Sequence, residues 1–308
     1  MPAERERLAQ IKKNLERRAE VYGVVREFFR KQGFLEIETP LRVLSIAPER
    51  YISPIKSEGW YLITSPELHM KRLLAAGYKQ IFQISRCFRG GERGRLHNPE
   101  FSLLEWYRAG ADYQDSISDA EQLVVAVIQK LHRSKILHYQ GQNIDMQLPW
   151  PRLSVKDAFL QSAGWDPVAA YDAERFDYDM AALVLPALDP AHPTVLTDYP
   201  AAAASLARLK TDNPLVAERA EIFIGGIELA NAYSELTDAA EQRRRFEKEA
   251  AQIEREYGTG MQISEPFLEA VGYLPECSGI ALGMDRLVML LCDAVDINEI
   301  CAFTENNI

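Results

Sequence analysis

The chain has 308 residues, with 45 Asp and Glu against 35 Lys and Arg, a formal net charge of −10 at pH 7. This length fits one large catalytic domain or two ordinary ones, and a 47% hydrophobic share suffices for a buried core. The acidic balance argues against a broad nucleic-acid surface, since phosphate contacts need a basic field. Apolar runs are too short to span a bilayer, and the charged stretch Met1 to Lys13 has no apolar signal core, so a cytoplasmic setting is expected. The cysteines Cys87, Cys277, Cys292 and Cys301 form no CxxC pair, which excludes a disulfide framework or a zinc cluster.

In chain order, Leu8, Ile11, Leu15, Ala19, Tyr22, Val25 and Phe28/Phe29 recur at helical spacing and predict one long or broken amphipathic helix over residues 1–31. Gly33 ends it, and Phe34 to Glu38 alternates like a strand closed by Thr39-Pro40. Tyr61 to Thr64 is a short strand. Ser65-Pro66-Glu67 starts the helix that follows, with Ser65 as N-cap and Pro66 at its first position, and Leu68, Lys71, Arg72 and Leu73 continue it. Ile81–Arg89 and Phe101–Arg108 are two strands, and Ser116 to His132 is an amphipathic helix. Residues 140–220 read as a helical insertion with loops. A hairpin spans Glu221 to Glu235, Arg243 to Tyr257 is a helix, and Gly279 to Leu291 is a strand running into a helix. Strands arrive in adjacent pairs, so an α+β fold with an antiparallel sheet is expected.

Side chains alternate on a strand. One face of Ile81–Arg89 therefore carries Gln83, Ser85, Cys87 and Arg89, and one face of Phe101–Arg108 carries Phe101, Glu105 and Tyr107. Arginine's planar fork suits phosphate and phenylalanine can stack a base, although the same face also reads as packing with one ion pair. The joining loop, Gly90-Gly91-Glu92-Arg93-Gly94-Arg95-Leu96-His97-Asn98, can wrap a polyphosphate or be a solvated turn. Ile224-Gly225-Gly226-Ile227 is a two-residue turn, because both glycines tolerate positive φ. It pairs Phe223 with Glu228 and Glu221 with Ala230, setting Glu221 and Glu228 diagonally on one face. Such a pair repels itself unless a cation such as magnesium joins it, or unless it lies at a solvent edge. Asn231, Tyr233 and Glu235 share a face that Glu228 joins only if a bulge lies near Ala230–Ala232. Glu67, Glu105 and Glu235 suit a diamine ligand, whose ammonium groups need carboxylates. At the end of the chain, Arg286 can meet an anion or serve as the ion-pair partner of Asp285, a candidate helix cap.

Three ordered segments resemble the motifs of a class II aminoacyl-tRNA synthetase catalytic domain: VVREFFRKQGFLEIETPLRV at 24–43, RCFRGGERGRLHNPEFSLLEWYR at 86–108 and GIALGMDRLV at 279–288. TSPELHMKRL at 64–73, HNPEF at 97–101 and GIELANAYSELTD at 226–238 resemble the lysyl subgroup. The likeness is closer still to the free-standing lysyl-tRNA synthetase paralogues that join (R)-β-lysine to elongation factor P. Motif 1 is entered directly, so no anticodon-binding domain is expected before it. Ala281 and Ser65 stand where the synthetase carries glycine and, usually, alanine. An added methyl in a close-packed pocket changes which ligand backbone fits.

The resemblance implies one catalytic domain over 1–308, ATP and Mg²⁺, lysine or β-lysine and elongation factor P as partners, and a homodimer without tRNA binding. It implies that Arg89 binds the α-phosphate and the substrate carboxylate and stabilises the charge of adenylation, with Arg286 on the γ-phosphate. His97, Asn98, Phe101, Leu229 and Gly283 would line the nucleotide site together with Gly90, Gly91 and Glu92. Glu221 and Glu228 would hold Mg²⁺. Ser65, Pro66, Glu67 and Glu105 would frame the amino group, with Ala281 as a selector. Tyr107, Asn231 and Glu235 would take the ε-ammonium end. Two departures stand out. Gly90-Gly91 replaces the Asn-Glu expected after Arg89, and Ala232-Tyr233 replaces Gly-Phe. The first is the feature that favours a non-catalytic regulatory paralogue, and tRNA charging is the remaining alternative.

Overall fold

The computed structural model of the protein describes residues 2–307. The chain runs α1 (Pro2–Gln10), α2 (Lys12–Lys31), β1 (Leu35–Glu36), β2 (Arg42–Val43), β3 (Lys56–Ser57), β4 (Trp60–Leu62), α3 (Glu67–Ala75), β5 (Gln80–Phe88), β6 (Glu100–Ala109) and α4 (Tyr113–His132). It continues with β7 (Ile136–Tyr139), β8 (Gln142–Asp145), β9 (Arg152–Ser154), α5 (Val155–Ser162), α6 (Ala173–Asp179), the single turn α7 (Leu185–Ala187), β10 (Thr194–Pro200), β11 (Val216–Ile224) and β12 (Ile227–Ser234). The last elements are α8 (Ala239–Tyr257), α9 (Glu265–Val271), β13 (Cys277–Gly283) and α10 (Met284–Cys292). They form two compact units, residues 1–109, 237–275 and 283–308 in one and residues 110–236 and 276–282 in the other.

The first unit carries β5 and β6 as an antiparallel pair, with β1 parallel to β5. Register places Phe82 opposite Trp106 and Gln83 opposite Glu105. On the apolar face, Phe29 of α2 stacks on Phe82 with ring centroids 4.6 Å apart and meets Trp106 at 5.1 Å. All three rings are buried. Large aromatics shed the most apolar surface, so this cluster anchors α2 under the sheet. The opposite face is left to polar side chains, as the alternation predicts.

The second unit orders its strands β13-β12-β11-β10-β9, antiparallel except for β9 beside β10. Asp112 starts α4 with a capping box, its carboxylate receiving the Gln114 and Asp115 amides. The expectation of a helical insertion over 140–220 is corrected: β10 and part of β11 lie inside it as sheet strands, beside the short helices α5 to α7. Leu196 and Tyr199 are buried there among Phe159, Phe176 and Phe223, so tertiary packing decided a segment whose alanines and prolines carry no clear period. The α+β class with a mainly antiparallel sheet is as expected.

Candidate active site

In the first unit, α3 opens one residue later than expected. Pro66 stands at the cap with φ −77° and ψ −3°, and the Ser65 hydroxyl still receives the Glu67 amide at 3.0 Å. The same hydroxyl donates to Glu105 Oε1 at 2.6 Å, and the Tyr107 hydroxyl donates to Glu105 Oε2 at 2.9 Å. Glu105 is buried, and burial, reinforced by the charge of Glu67, pushes its carboxyl up to about 8. Lys71, one turn after Glu67 and itself buried, places Nζ 2.5 Å from Glu67 Oε1. In the sequence Lys71 stands only as a helix residue. Its i,i+4 spacing from Glu67 was the available signal.

Arg89 lies on the same face, just past the end of β5. Its guanidinium sits over the Phe101 ring at 5.1 Å, and Nη1 lies 3.7 Å from Glu92. The Gly90 amide donates to Ser53 O at 2.7 Å, and a Cβ at Gly90 would lie 3.2 Å from that oxygen. The chain therefore approaches closely where the family pattern has asparagine. Asn98 Nδ2 donates to Glu100 O at 2.6 Å, which folds the loop back on itself. Arg286 Nη2 donates to His97 Nε2 at 2.8 Å. Burial and the neighbouring Arg286 charge lower the His97 pKa, so the ring accepts as neutral imidazole. Asp285 is not the partner of Arg286. It pairs with Arg18 Nη1 at 2.6 Å. Gly283 stands at the start of α10, where a Cβ would touch the Arg286 side chain at 3.4 Å.

In the second unit, Gly225 and Gly226 take φ of +57° and +78° and close the β11–β12 turn. Phe223 pairs with Glu228 as expected, but Glu221 pairs with Asn231 and not with Ala230. The register shifts between Ile222 and Phe223, with Leu229 as the extra residue. The bulge thus lies one residue before the expected Ala230–Ala232 stretch. Its effect is to turn Glu228 to the face of Asn231 and Tyr233, and burial follows: Glu228, Asn231 and Tyr233 are half-buried while Leu229, Ala230 and Ala232 are buried. Ala281 pairs with Asn231 across β12 and β13. Glu235 follows β12 and is 1% exposed. Arg219 Nη2 donates to Glu221 Oε1 at 2.6 Å, and its guanidinium lies over the Tyr199 ring at 4.6 Å. No motif in the sequence singles out Arg219, although it sits two residues before Glu221 on one strand face. Burial and the charge of Glu228 raise the Glu221 pKa against the pull of Arg219.

Among the described residues, no group of three or more His, Cys, Asp or Glu side chains is placed to hold a metal. Glu221 and Glu228, on one face of the β11–β12 hairpin, fit a cation of the magnesium type, which takes one or two protein carboxylates and fills the rest of its shell with phosphate and water.

The first unit thus gathers an arginine over an aromatic ring, a second arginine on a histidine, and a buried carboxyl held by hydroxyls. Residues 5–307 match the family described as tRNA synthetases class II (D, K and N). The chain belongs to this family. It is 38% identical to an elongation factor P–(R)-β-lysine ligase of Hamiltonella defensa subsp. Acyrthosiphon pisum, over 94% of each chain. It is 39% identical to proteins of the same name from Pectobacterium atrosepticum and Salmonella paratyphi B, again over 94% of each chain.

Proposed function

We propose that this class II synthetase activates (R)-β-lysine, or lysine, with ATP and transfers it to a lysine ε-amine of elongation factor P. Full-length similarity to ligases of that name carries the reading. The buried Glu105, offered to a cationic ligand by Ser65 and Tyr107, supports an amine substrate.

In the first step a carboxylate oxygen of the amino acid attacks the α-phosphorus and pyrophosphate leaves. In the second the ε-amine of the target lysine attacks the acyl carbon, losing a proton, and AMP leaves. The work is positioning and charge neutralisation. Arg89 faces the α-phosphate and the substrate carboxylate over Phe101, which stacks the adenine. Arg286 takes the γ-phosphate, and His97, Asn98, Gly283, the Leu229 backbone and the Gly90–Glu92 turn line the nucleotide. Ser65 to Glu67 and Glu105 bind the amino group, with Ala281 selecting the backbone. Tyr107, Asn231 and Glu235 bind the far ammonium. Glu221 and Glu228 hold magnesium, which neutralises phosphate charge when bound.

The matched span serves as one catalytic domain, and the protein works as a homodimer on a cytoplasmic translation factor. Leu35, Leu41 and Leu44, exposed within and beside the motif 1 segment, supply apolar surface for the dimer. No helix among the described residues is long and apolar enough to cross a membrane. The test is ATP–pyrophosphate exchange with the purified protein. Exchange stimulated by (R)-β-lysine supports the reading, and exchange that ignores both lysine isomers overturns it.

A further inference from the structure

We propose that Arg18 is a positioning residue for the nucleotide site, acting through Asp285 and Ser102 to hold β6 and α10 at one separation. Arg18 lies on α2, far along the chain from either element. Its Nη1 meets Asp285 Oδ1 at 2.6 Å, with side-chain exposures of 13% and 5%. The other carboxylate oxygen, Asp285 Oδ2, receives the Ser102 amide at 2.7 Å. Arg18 Nη2 closes the ring by donating to Ser102 Oγ at 3.0 Å and also donates to Tyr22 OH at 2.8 Å. Cys301 Sγ lies 3.8 Å from Nη1. One buried ion pair therefore grips Ser102 by its backbone and its side chain at once.

The neighbours of the gripped residues give this clamp its consequence. Ser102 follows Phe101, whose ring lies under Arg89. Alternation along β6 means that fixing Ser102 on one face fixes Phe101 on the other. Asp285 precedes Arg286, whose guanidinium reaches His97. The two ends of the clamp thus carry the adenine platform and the γ-phosphate arginine. A planar fork sets angles as well as distances, which an ammonium in the same place does not. Glu105, assigned to the amino acid, is held instead by the Ser65 and Tyr107 hydroxyls. A loosened clamp is therefore expected to disturb ATP binding while leaving amino-acid binding nearly intact.

The inference rests on the nucleotide-site reading above, and its test separates the two. ATP affinity is measured by calorimetry with ATP alone, and KM for ATP and for lysine by pyrophosphate exchange. The proteins are wild type, Arg18→Lys and the double variant Arg18→Met/Asp285→Asn, which removes both buried charges so that neither is left unpaired. A wild type that binds no ATP overturns the site reading itself. With wild-type binding in hand, both variants are expected to weaken ATP about tenfold, with the lysine KM within about twofold of wild type. Unchanged ATP affinity, an equal rise in both KM values, or unfolding of both variants overturns the proposal, because each makes Arg18 a packing residue of the fold.

Discussion

Lys71 places its ammonium 2.5 Å from the Glu67 carboxylate, one helical turn along α3, with only 1% of its side chain exposed. A buried cation on a carboxylate assigned to substrate is a charge-setting device: Glu67 and Glu105 bring two acids, and Lys71 offsets one. Removing one partner of such a pair leaves a buried charge uncompensated. Lys71→Met is expected to cost about 3–5 kcal/mol in chemical denaturation. A change below about 1 kcal/mol, the range of exposed pairs, would contradict the arrangement.

Glu105 has a raised pKa in the fold, about 8 against an ordinary carboxylate value. The fold therefore favours the neutral acid. Its stabilisation is fully present below the ordinary carboxylate range and is lost as pH rises through about 8. The ligand-free protein should lose stability relative to Glu105→Gln between about pH 5 and about pH 8. Denaturation curves for the two proteins that shift in parallel across that window would refute the assignment.

Glu235 is 1% exposed and closes the Asn231–Tyr233–Glu235 series after β12. As the carboxylate for the far ammonium, it should matter to the amino acid and not to the nucleotide. Glu235→Ala is expected to abolish lysine-dependent pyrophosphate exchange while calorimetric ATP binding stays within about twofold. Unchanged lysine activation would remove Glu235 from the pocket.

Gly225 turns the β11–β12 hairpin at φ +57°, and a Cβ there would lie 2.8 Å from Tyr139 Cδ1. Gly225→Ala combines backbone strain with a clash, at a cost of about 1–3 kcal/mol for the strain alone. Thermal denaturation should show a clear loss. Gly226→Ala, where a Cβ meets nothing within 4 Å, should cost less. The reverse order would be inconsistent with this turn.

The period-two alternation of β5 made its faces legible, because Gln83, Ser85, Cys87 and Arg89 share one side while Phe82, Ile84 and Phe88 share the other, with Arg86 as the one charged exception. The Gly225-Gly226 turn was legible for the same kind of reason: its backbone demand is local. The conflict between two faces points to a bulge, which lies at Leu229, one residue before the Ala230–Ala232 stretch. A bulge is placed by packing on both sides of a strand, and Leu229 and Ala230 are both buried. Strand β10 has no clear period in the sequence and is a strand through burial of Leu196 and Tyr199 against Phe159 and Phe176. Asp285 illustrates the remaining limit. Its true partner, Arg18, is 267 residues away in sequence, and no local spacing points to it.

The proposed reaction transfers a lysyl-type group to elongation factor P. The direct measurement is the intact mass of elongation factor P after incubation with this protein, ATP, Mg²⁺ and (R)-β-lysine. A gain equal to one β-lysyl residue on a single lysine, dependent on ATP and absent with Arg89→Ala, is the predicted result. An unchanged mass with active ATP–pyrophosphate exchange, or charging of bulk tRNA in its place, would contradict it.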